Sequence, residues 1–555
     1  MPNGAELFVS SLKKLGVSHI FTLVGDHLNE ILRVADREGL SIIDTRHEAA
    51  AVHMADGWGR ITRTPGVSMV TGGPGHTNSI SGIATAHATG SPILAMSGMS
   101  SAKLRDRNGF QDMDQLPLVA GITKYAAVPG DTGQIPFHVR KAFTESLRGR
   151  FGASHLSVPV DMLLAKVKDH APLPEGPVEP LRPAPDSADV ARLIAMLGEA
   201  AKPVVIAGSG AWWSGAGEEL RAFIEKTSLP LFTVCLARGL VSDDHPLCFG
   251  YADPTLSRAA AKAFKEADLV LVLGKKLDYR LRLGGTGLFS AAAKFAQVDV
   301  HAAELGLNRD LELGIQADVR ATLRHLNEGL GKFPAPDRTA WLGEVRRAAE
   351  AWEQELASTA AKPSSPMHPL HFFMQMKNWV PEDATLCWDG GDFVHWGRCT
   401  IPARKPMHWL RLGALAGLGA CFPIGLTAKI LRPNSPTVII SGDGSLGFYA
   451  AEMDTAVRHN LPVILIVGND GAWGIEKELQ LGTYGGSSTV ACELRRTRYD
   501  LVMKGFGGEG ELVEKPEDVR PALDRALQSE RPYLINVSIE GARSPFTQYQ
   551  LAGKK

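Results

Sequence analysis

Short apolar runs that end in glycine or an acid recur along the whole chain, with helix-like stretches between them. SHIFTLVG and GVSMVTGG come first, then KPVVIAGSG and LVLVLGKK, then TVIISGDG and LPVILIVGND. Strands of this kind alternating with helices build parallel sheets with helices on both faces. The expected class is α/β, with three doubly wound parallel-sheet domains.

A chain of 555 residues is too long for one hydrophobic core. Two proline-rich stretches divide it: HAPLPEGPVEPLRPAPD over 170–186, and FPAPD at 333–337 followed by a helical stretch and AKPSSPMHP at 361–369. Proline at that density forbids a helix or an inner strand. The expected domains are 1–170, 186–333 and 365–540, with a tail or lid at 541–555. The 59 basic and 60 acidic side chains leave a net charge of -1. That balance gives no global attraction to nucleic acid or to acidic membranes, though a local basic pocket remains open. Six cysteines (235, 248, 387, 399, 421 and 492) include no CxxC pair and read as reduced, mostly buried thiols of a cytoplasmic protein. The opening MPNGAELFVSSLKKLGV reads as an amphipathic helix rather than a signal peptide, and no uninterrupted apolar run is long enough to span a bilayer.

Two neighbouring apolar runs end in Gly442-Asp443-Gly444-Ser445 and in Asn469-Asp470-Gly471. Asp443 and Asp470 lie 27 positions apart, room for a strand end, a loop, a helix and a second strand. Adjacent parallel strands would put both acids at the carboxyl edge of the sheet, where open α/β sheets bind ligands. Two oxygen ligands beside close-approaching glycines suit a hard cation that holds a phosphate. Ordinary βα turns, in which Gly and Asp are common, account equally well for the spacing. Near the N-terminus, Glu48 follows a strand and opens an alanine-rich helix, where an acid ordinarily just compensates the helix dipole. Gly72-Gly73-Pro74-Gly75 ends the next strand.

Arg46-His47-Glu48-Ala49-Ala50, the GGPGHTN turn at 72–78 and Gly442-Asp443-Gly444 followed by Asn469-Asp470 together resemble the thiamine diphosphate enzymes. The likeness is to the acetolactate synthase, benzaldehyde lyase, oxalyl-CoA decarboxylase and 2-hydroxyacyl-CoA lyase superfamily, and it covers nearly the whole chain. It implies a pyrimidine-binding N-terminal domain, a central Rossmann-like domain and a C-terminal diphosphate domain. It implies Mg²⁺ held by the Asp443 and Asp470 side chains and the Ala472 carbonyl. Asp470 stands where the family commonly has Asn, an equally good oxygen donor that adds no charge. Gly442, Gly444, Ser445, Trp473, Gly474 and the backbone of Gly390-Gly391-Asp392-Phe393 are the implied diphosphate cradle. Pro74, Asn78 and the Ala416 carbonyl are implied at the pyrimidine, and Leu418 under the bent cofactor. The Glu48 carboxyl is implied to share a proton with the aminopyrimidine, the switch that activates the cofactor.

On the substrate side the resemblance points to His27 in GDHLNEIL, to Gln111 in GFQDMDQLPLV and to His76 in the GPGHTN turn, although each His alone is more often structural. LGKKLDYRLRLGG carries Lys275, Lys276, Arg280 and Arg282 where CoA-using relatives have a basic segment, with Asp278 in place of the expected Asn. Acetolactate synthases also carry an Asp-x-Arg pattern nearby. The tail GARSPFTQYQLAGKK, with Arg543, reads either as a lid over the substrate or as a solvated terminus. The expected activity is that of a 2-hydroxyacyl-CoA lyase, acting on an acyl-CoA and an aldehyde or ketone. The alternatives are an acetolactate synthase-like enzyme with FAD and a benzaldehyde lyase-like acyloin lyase. A binding protein without turnover would have no need of Glu48. Gly208-Ser209-Gly210 reads as a close turn of a Rossmann-like sheet rather than as an FAD site. A homodimer or dimer of dimers is implied, with Glu48 of one chain facing the 443–470 site of another.

Overall fold

The structure, a computed structural model, describes residues 1–332, 336–486 and 489–553. Three six-stranded sheets succeed one another along the chain, each parallel throughout its described pairings. The first contains β1 (His19–Leu23), β2 (Ser41–Asp44), β3 (Gly66–Val70), β4 (Ile93–Met99), β5 (Tyr125–Ala127) and β6 (Ala153–Pro159), ordered β2-β1-β3-β4-β6-β5. The second contains β7 (Pro203–Ala207), β8 (Leu231–Thr233), β9 (Cys248–Tyr251), β10 (Leu269–Leu273), β11 (Lys294–Asp299) and β12 (Leu313–Gln316), ordered β12-β11-β10-β7-β8-β9. The third contains β13 (Thr385–Trp388), β14 (Trp409–Arg411), β15 (Thr437–Gly442), β16 (Ile464–Asn469), β17 (Glu509–Val513) and β18 (Tyr533–Ser538), ordered β14-β13-β15-β16-β18-β17. The outer two sheets thus share one strand order. The central one has the dinucleotide-fold order, in which the chain runs outward in both directions from the middle.

The continuous apolar runs are explained by burial on both faces. In β10, Leu269, Leu271 and Leu273 face one core while Val270 and Val272 face another. In β16, Leu465 and Val467 divide in the same way from Ile464 and Ile466. Side chains alternate across a strand, so a strand between two helix layers must be apolar at every position. Residues 170–186 carry no helix or strand. Positions 333–335, where the FPAPD stretch begins, lie outside the described residues, as do the two terminal lysines. The opening stretch forms the helix Gly4–Lys14, and none of the described helices is long and apolar enough to cross a membrane.

The first and third domains meet through helix Glu48–Thr62, which packs on helix Cys421–Leu431. Thr427 donates its hydroxyl to the Met54 carbonyl at 2.9 Å, and the fully buried Arg60, paired with Asp56, donates to the Arg411 carbonyl.

Strand order reverses at β1|β3, β7|β10 and β13|β15, and the loops leaving those pairs approach closely. In the central sheet Gly210 N–H donates to the Gly274 carbonyl at 2.8 Å. A Cβ on Gly274 would stand 2.5 Å from Gly210 Cα, and its φ is +59°. Gly274→Ala should therefore cost about 2–4 kcal/mol through strain and overpacking, read as a lowered thermal midpoint. Gly130→Ala, where a methyl meets nothing within 4 Å, should stay within about 0.5 kcal/mol of the parent.

Candidate active site

The loops after β13 and β15 meet at the reversal point of the third sheet. Gly442 N–H donates to the Gly390 carbonyl at 3.2 Å. Asp389, the residue after β13, accepts from the backbone N–H groups of Gly390 (2.7 Å), Gly419 (2.9 Å) and Cys421 (3.0 Å). Burial pushes its carboxyl up to about 6 despite those donors. Asp389 thereby stitches the glycine turn to the loop that carries Leu418. A Cβ on Gly390 would stand 2.4 Å from Leu418 Cδ2 and 2.8 Å from Ser445 Oγ, so a side chain there would push both of them aside. Ala416 is exposed and left-handed, with φ +56°. A non-glycine residue held there is the kind of strain that gathers at ligand sites.

Strands β15 and β16 pair with Gly442 opposite Gly468, which brings Asp443 and Asp470 to one edge. Asp443 is 2 % exposed and its Oδ2 has no hydrogen-bond partner. The two carboxyls lie within hydrogen-bonding reach of each other. Burial and the facing Asp470 charge push Asp443 up to about 7, and burial raises Asp470 as well. Asp470 Oδ1 accepts from Ala472 N–H at 3.2 Å. Two buried carboxylates with an orphaned oxygen fit a divalent cation, which would convert their repulsion into attraction. Among the described residues no group of three or more His, Cys, Asp or Glu could hold a metal. A cation held there would need further oxygen ligands beyond these two side chains. Asn469, beside the pair, has its amide nitrogen engaged, Nδ2 donating to the Thr497 carbonyl (2.9 Å) and to Asn536 Oδ1 (3.1 Å), while its own buried Oδ1 has no hydrogen-bond partner. Around these groups lies a cavity of about 670 Å³, walled by Phe393, Leu418, Asp443, Asp470 and Trp473 among others, all between residues 369 and 542.

Glu48 is not in that wall. It opens its helix, 8 % exposed, with His47 Nδ1 accepting from Ala49 N–H at the cap. Asn78 Nδ2 donates to Glu48 Oε2 at 3.0 Å, and Pro74 and Asn78 are exposed beside it. At the reversal point of the first sheet, His27 Nδ1 accepts from Gly72 N–H at 3.2 Å and meets Thr71 Oγ1 at 3.0 Å. Burial holds its imidazole below the usual histidine value. The Thr71 hydroxyl donates to Gln111 Oε1 at 3.4 Å, and Gln111 is left-handed and half-buried. His27, Gln111 and the glycine turn are thus brought together.

His76 is a correction. Expected to face the substrate, it is 0 % exposed, with Nδ1 on Ser97 Oγ and Nε2 on the Gln115 carbonyl, both at 3.0 Å. Its ring packs edge-on against buried His155, and burial pushes it down to about 4. Both nitrogens are consumed, Nδ1 by Ser97 of β4 and Nε2 in anchoring the 109–125 loop. Gln115, which the sequence reading passed over, completes that anchor: Nε2 donates to the Gly98 carbonyl, and Oε1 accepts from Ser157. A buried glutamine in a loop leaves no periodic signal. Asp389 did leave one, since it ends an apolar run beside glycine much as Asp443 does.

The central domain opens into a cleft of about 1250 Å³ at its own reversal point, with Gly210 and Gly274 in its wall. Lys275, Lys276 and Arg280 line it; Arg282 and Arg543 do not. The basic run is also less free than its sequence suggests. Lys275 bonds Asp278 at 2.5 Å, Lys276 pairs with Glu304, and Arg280 faces Asp253 at 3.6 Å. Arg282 lies over the Tyr549 ring of the tail at 3.8 Å, and Arg543 pairs with Glu478. The tail helix Pro545–Ala552 seats on helix Asp392–Thr400: Asp392 Oδ1 accepts from Ser544 N–H (3.2 Å) and from the Thr547 hydroxyl (2.7 Å). The Asp392 carboxylate therefore holds the tail, leaving only its backbone for a phosphate.

Residues 2–118 match the family model of the thiamine pyrophosphate enzyme N-terminal TPP binding domain, 190–326 that of the central domain, and 389–537 that of the C-terminal TPP binding domain. The chain is 34% identical over 542 residues to the acetolactate synthase large subunit IlvG of Mycobacterium tuberculosis, covering 96% of this chain and 95% of that one. It is 32% identical over 582 residues to 2-hydroxyacyl-CoA lyase 2 of Homo sapiens (97% and 90% covered), and 30% identical over 558 residues to 2-hydroxyacyl-CoA lyase 1 of Mus musculus (97% and 94%).

A cation between Asp443 and Asp470 favours their charged forms. Loading with Mg²⁺ and thiamine diphosphate at pH 7 should therefore release protons, and affinity should rise with pH through about 7 and level off above it. Asp470→Asn removes the repelling neighbour and should reduce the release. Calorimetry in two buffers of different ionisation enthalpy reads both; equal release from the two proteins would refute the paired site.

Proposed function

Because the chain belongs to the thiamine pyrophosphate enzyme family, we propose that it is a thiamine diphosphate- and Mg²⁺-dependent carbon–carbon lyase/ligase of the 2-hydroxyacyl-CoA lyase type. It cleaves a 2-hydroxyacyl-CoA to an aldehyde or ketone and formyl-CoA, and runs the acyloin-type condensation in reverse. Bound thiamine diphosphate supplies the carbanion chemistry. Asp443, Asp470 and the Ala472 carbonyl hold the cation, and the Gly390 and Gly444 turns take the diphosphate. Leu418 supports the cofactor from below. Glu48 would exchange a proton with the bound cofactor, its Oε2 oriented by Asn78. His27 and Gln111 border the substrate.

The choice of a CoA ester is supported by one contact. The two sequence features read as CoA-facing, the 275–282 segment and the tail, touch through Arg282 over Tyr549 at 3.8 Å. The tail also bears on the helix that starts at the diphosphate turn. A handle held remotely can position the reacting end, and a seated tail excludes water from it. Deleting residues from Arg543 onward should raise KM for a 2-hydroxyacyl-CoA and lower kcat, with a smaller loss in condensing aldehydes that lack CoA. Equal losses would make the tail merely structural. The acetolactate synthase reading draws on the 34% identity and on the presence of the central cleft at a strand-order reversal. A yellow protein that turns over pyruvate and no CoA ester would select it.

The cavity at Asp443 is lined from residues 369–542 alone, while Glu48 sits at a surface with exposed Pro74 and Asn78. These facts support a dimer in which a second copy delivers Glu48. Glu48→Gln and Asp443→Asn should each be inactive alone. Their co-expressed mixture should recover roughly a quarter of parental activity, because half of the dimers carry one intact site of two. No recovery would place both residues in one chain's site.

A further inference from the structure

Between residues 449 and 459 the C-terminal domain reaches back to the N-terminal one, and its polar contacts there fall on residues 44–53, the stretch that contains Glu48. The element is the helix Glu452–Arg458, which closely follows the Asp443–Gly447 helix. Arg458 spans the outer edge of the contact, with Nη1 on Asp44 Oδ2 at 2.6 Å and Nη2 on the Asp44 carbonyl at 3.0 Å, and His459 Nε2 meets Asp44 Oδ1 at 2.9 Å. Those groups are partly exposed, whereas Glu452 is 0 % exposed. The Arg46 N–H donates to both Glu452 carboxylate oxygens, at 3.2 and 3.1 Å, and the Thr455 hydroxyl donates to Oε2 at 2.6 Å. Burial raises the Glu452 carboxyl, and the Thr455 hydroxyl and the backbone donors of Arg46 and His47 oppose that rise. Tyr449, just before the helix, meets the His47 and His53 rings edge-on and joins its hydroxyl to His53 Nε2 at 3.1 Å.

An acid at the start of a helix ordinarily offsets the helix dipole from the surface. That role gives no reason to bury the carboxylate completely or to commit it to a loop of another domain. A buried carboxylate is costly unless donors surround it, and here the donors include the N–H groups of the two residues that precede Glu48. The near side of the same turn is fixed by Thr45, whose N–H donates to the Thr22 carbonyl at 2.8 Å and whose hydroxyl donates to the His47 carbonyl at 2.9 Å. Glu452 holds the peptide between. We propose that Glu452 is the positioning residue of Glu48: through the Arg46 and His47 backbone its carboxylate fixes the 45–47 turn, and with it the place at which Glu48 presents its own carboxyl. Glu452 itself touches no reacting atom. The proposal rests on the reading that Glu48 exchanges a proton with the cofactor. Such a step is sensitive to placement, since a shift of about 1 Å costs on the order of a hundredfold.

The test compares Glu452→Ala, Glu452→Asp and Glu452→Gln in the full chain. The Asp variant keeps the charge but is one methylene too short for the Arg46 N–H. The Gln variant keeps the length: its amide oxygen accepts from Arg46 while its amide nitrogen donates to Thr455, whose hydroxyl turns to receive it. Without cofactor, amide hydrogen exchange over residues 44–48 should quicken in the Ala and Asp variants and match the parent in the Gln variant. With thiamine diphosphate and Mg²⁺ bound, deuterium exchange at the cofactor C2 should slow at least about tenfold in the Ala and Asp variants, while cofactor affinity stays within about threefold of the parent. The Gln variant should keep most of the parental C2 rate. Arg458→Gln, which loosens the same domain contact at its outer edge, should leave that rate unchanged. Glu452→Ala added to Glu48→Gln should slow C2 exchange no further, because the group it positions is gone. Should Glu452→Ala fail to fold, Glu452→Asp carries the same expectations. Parental C2 exchange in the Asp variant, equal losses of affinity and exchange, or further slowing on top of Glu48→Gln would overturn the proposal and leave Glu452 as a fastening between domains. A Glu48→Gln protein that exchanges C2 as fast as the parent would instead overturn the reading of Glu48, and the proposal with it.

Discussion

A glycine N–H closes onto the neighbouring loop wherever the strand order of a sheet reverses, and the rest of the molecule is arranged around those contacts. Neighbouring loops elsewhere in a doubly wound sheet run to the same face, but at the reversal they part to opposite faces and leave a crevice. In the third sheet the crevice is closed below by Gly442 N–H on the Gly390 carbonyl, in the central sheet by Gly210 N–H on the Gly274 carbonyl, and in the first by Gly72 N–H on His27. Side chains at these positions would fill the space a ligand needs. The chain therefore places glycine there, and the residues bordering each glycine become the chemical groups of the three sites.

The same geometry is charged in opposite senses at two of the three points. The β13|β15 crevice holds two buried carboxylates that repel unless a cation intervenes. The β7|β10 crevice ends at the guanidiniums of Arg280, Arg411 and, just behind, Arg398, with the Asp253 carboxylate among them. A dry crevice amplifies either imbalance. Each would be relieved by a ligand of the opposite charge. The near-zero net charge of the chain conceals both, because it averages over a surface whose ion pairs are mostly matched.

What was legible in the sequence was whatever repeats or punctuates. Continuous apolar runs such as LVLVL announced strands buried on both faces, and their glycine and aspartate endings announced the carboxyl edge where Asp443 and Asp470 stand together. What could not be read was orientation within the packed core. His76 sits in a motif beside Glu48, yet it points into the domain, where Ser97 and the Gln115 carbonyl consume its two nitrogens. Asp392 follows two diphosphate-turn glycines, yet its carboxylate turns to the tail. The run from Lys275 to Arg282 reads as one basic patch, but local acids neutralise the two lysines, and the six-residue turn sends Arg282 away from Arg280. Arg411 and Arg398 gave no signal, since the partners that make them unusual come from β9 and the loop after it, over a hundred residues away.

One short helix ties these features into a single body. Asp392–Thr400 starts at the diphosphate turn, receives the tail through Asp392 and, along its length, through His395 on Phe546 and Trp396 on the Ala542 carbonyl, and ends by presenting Arg398 to Tyr251. At 1.5 Å per residue, Asp392 and Arg398 are about 9 Å apart along its axis. The cofactor turn, the tail and the guanidinium cluster thus share one rigid element rather than separate loops. A ligand that drew Arg398 would load the helix that starts at the Gly390-Gly391 turn, and a tail that left its seat would free Asp392 beside Asp470. Positioning by a rigid element between two crevices, rather than by any one side chain, is how this fold can make the distant end of a ligand matter at the reacting carbon.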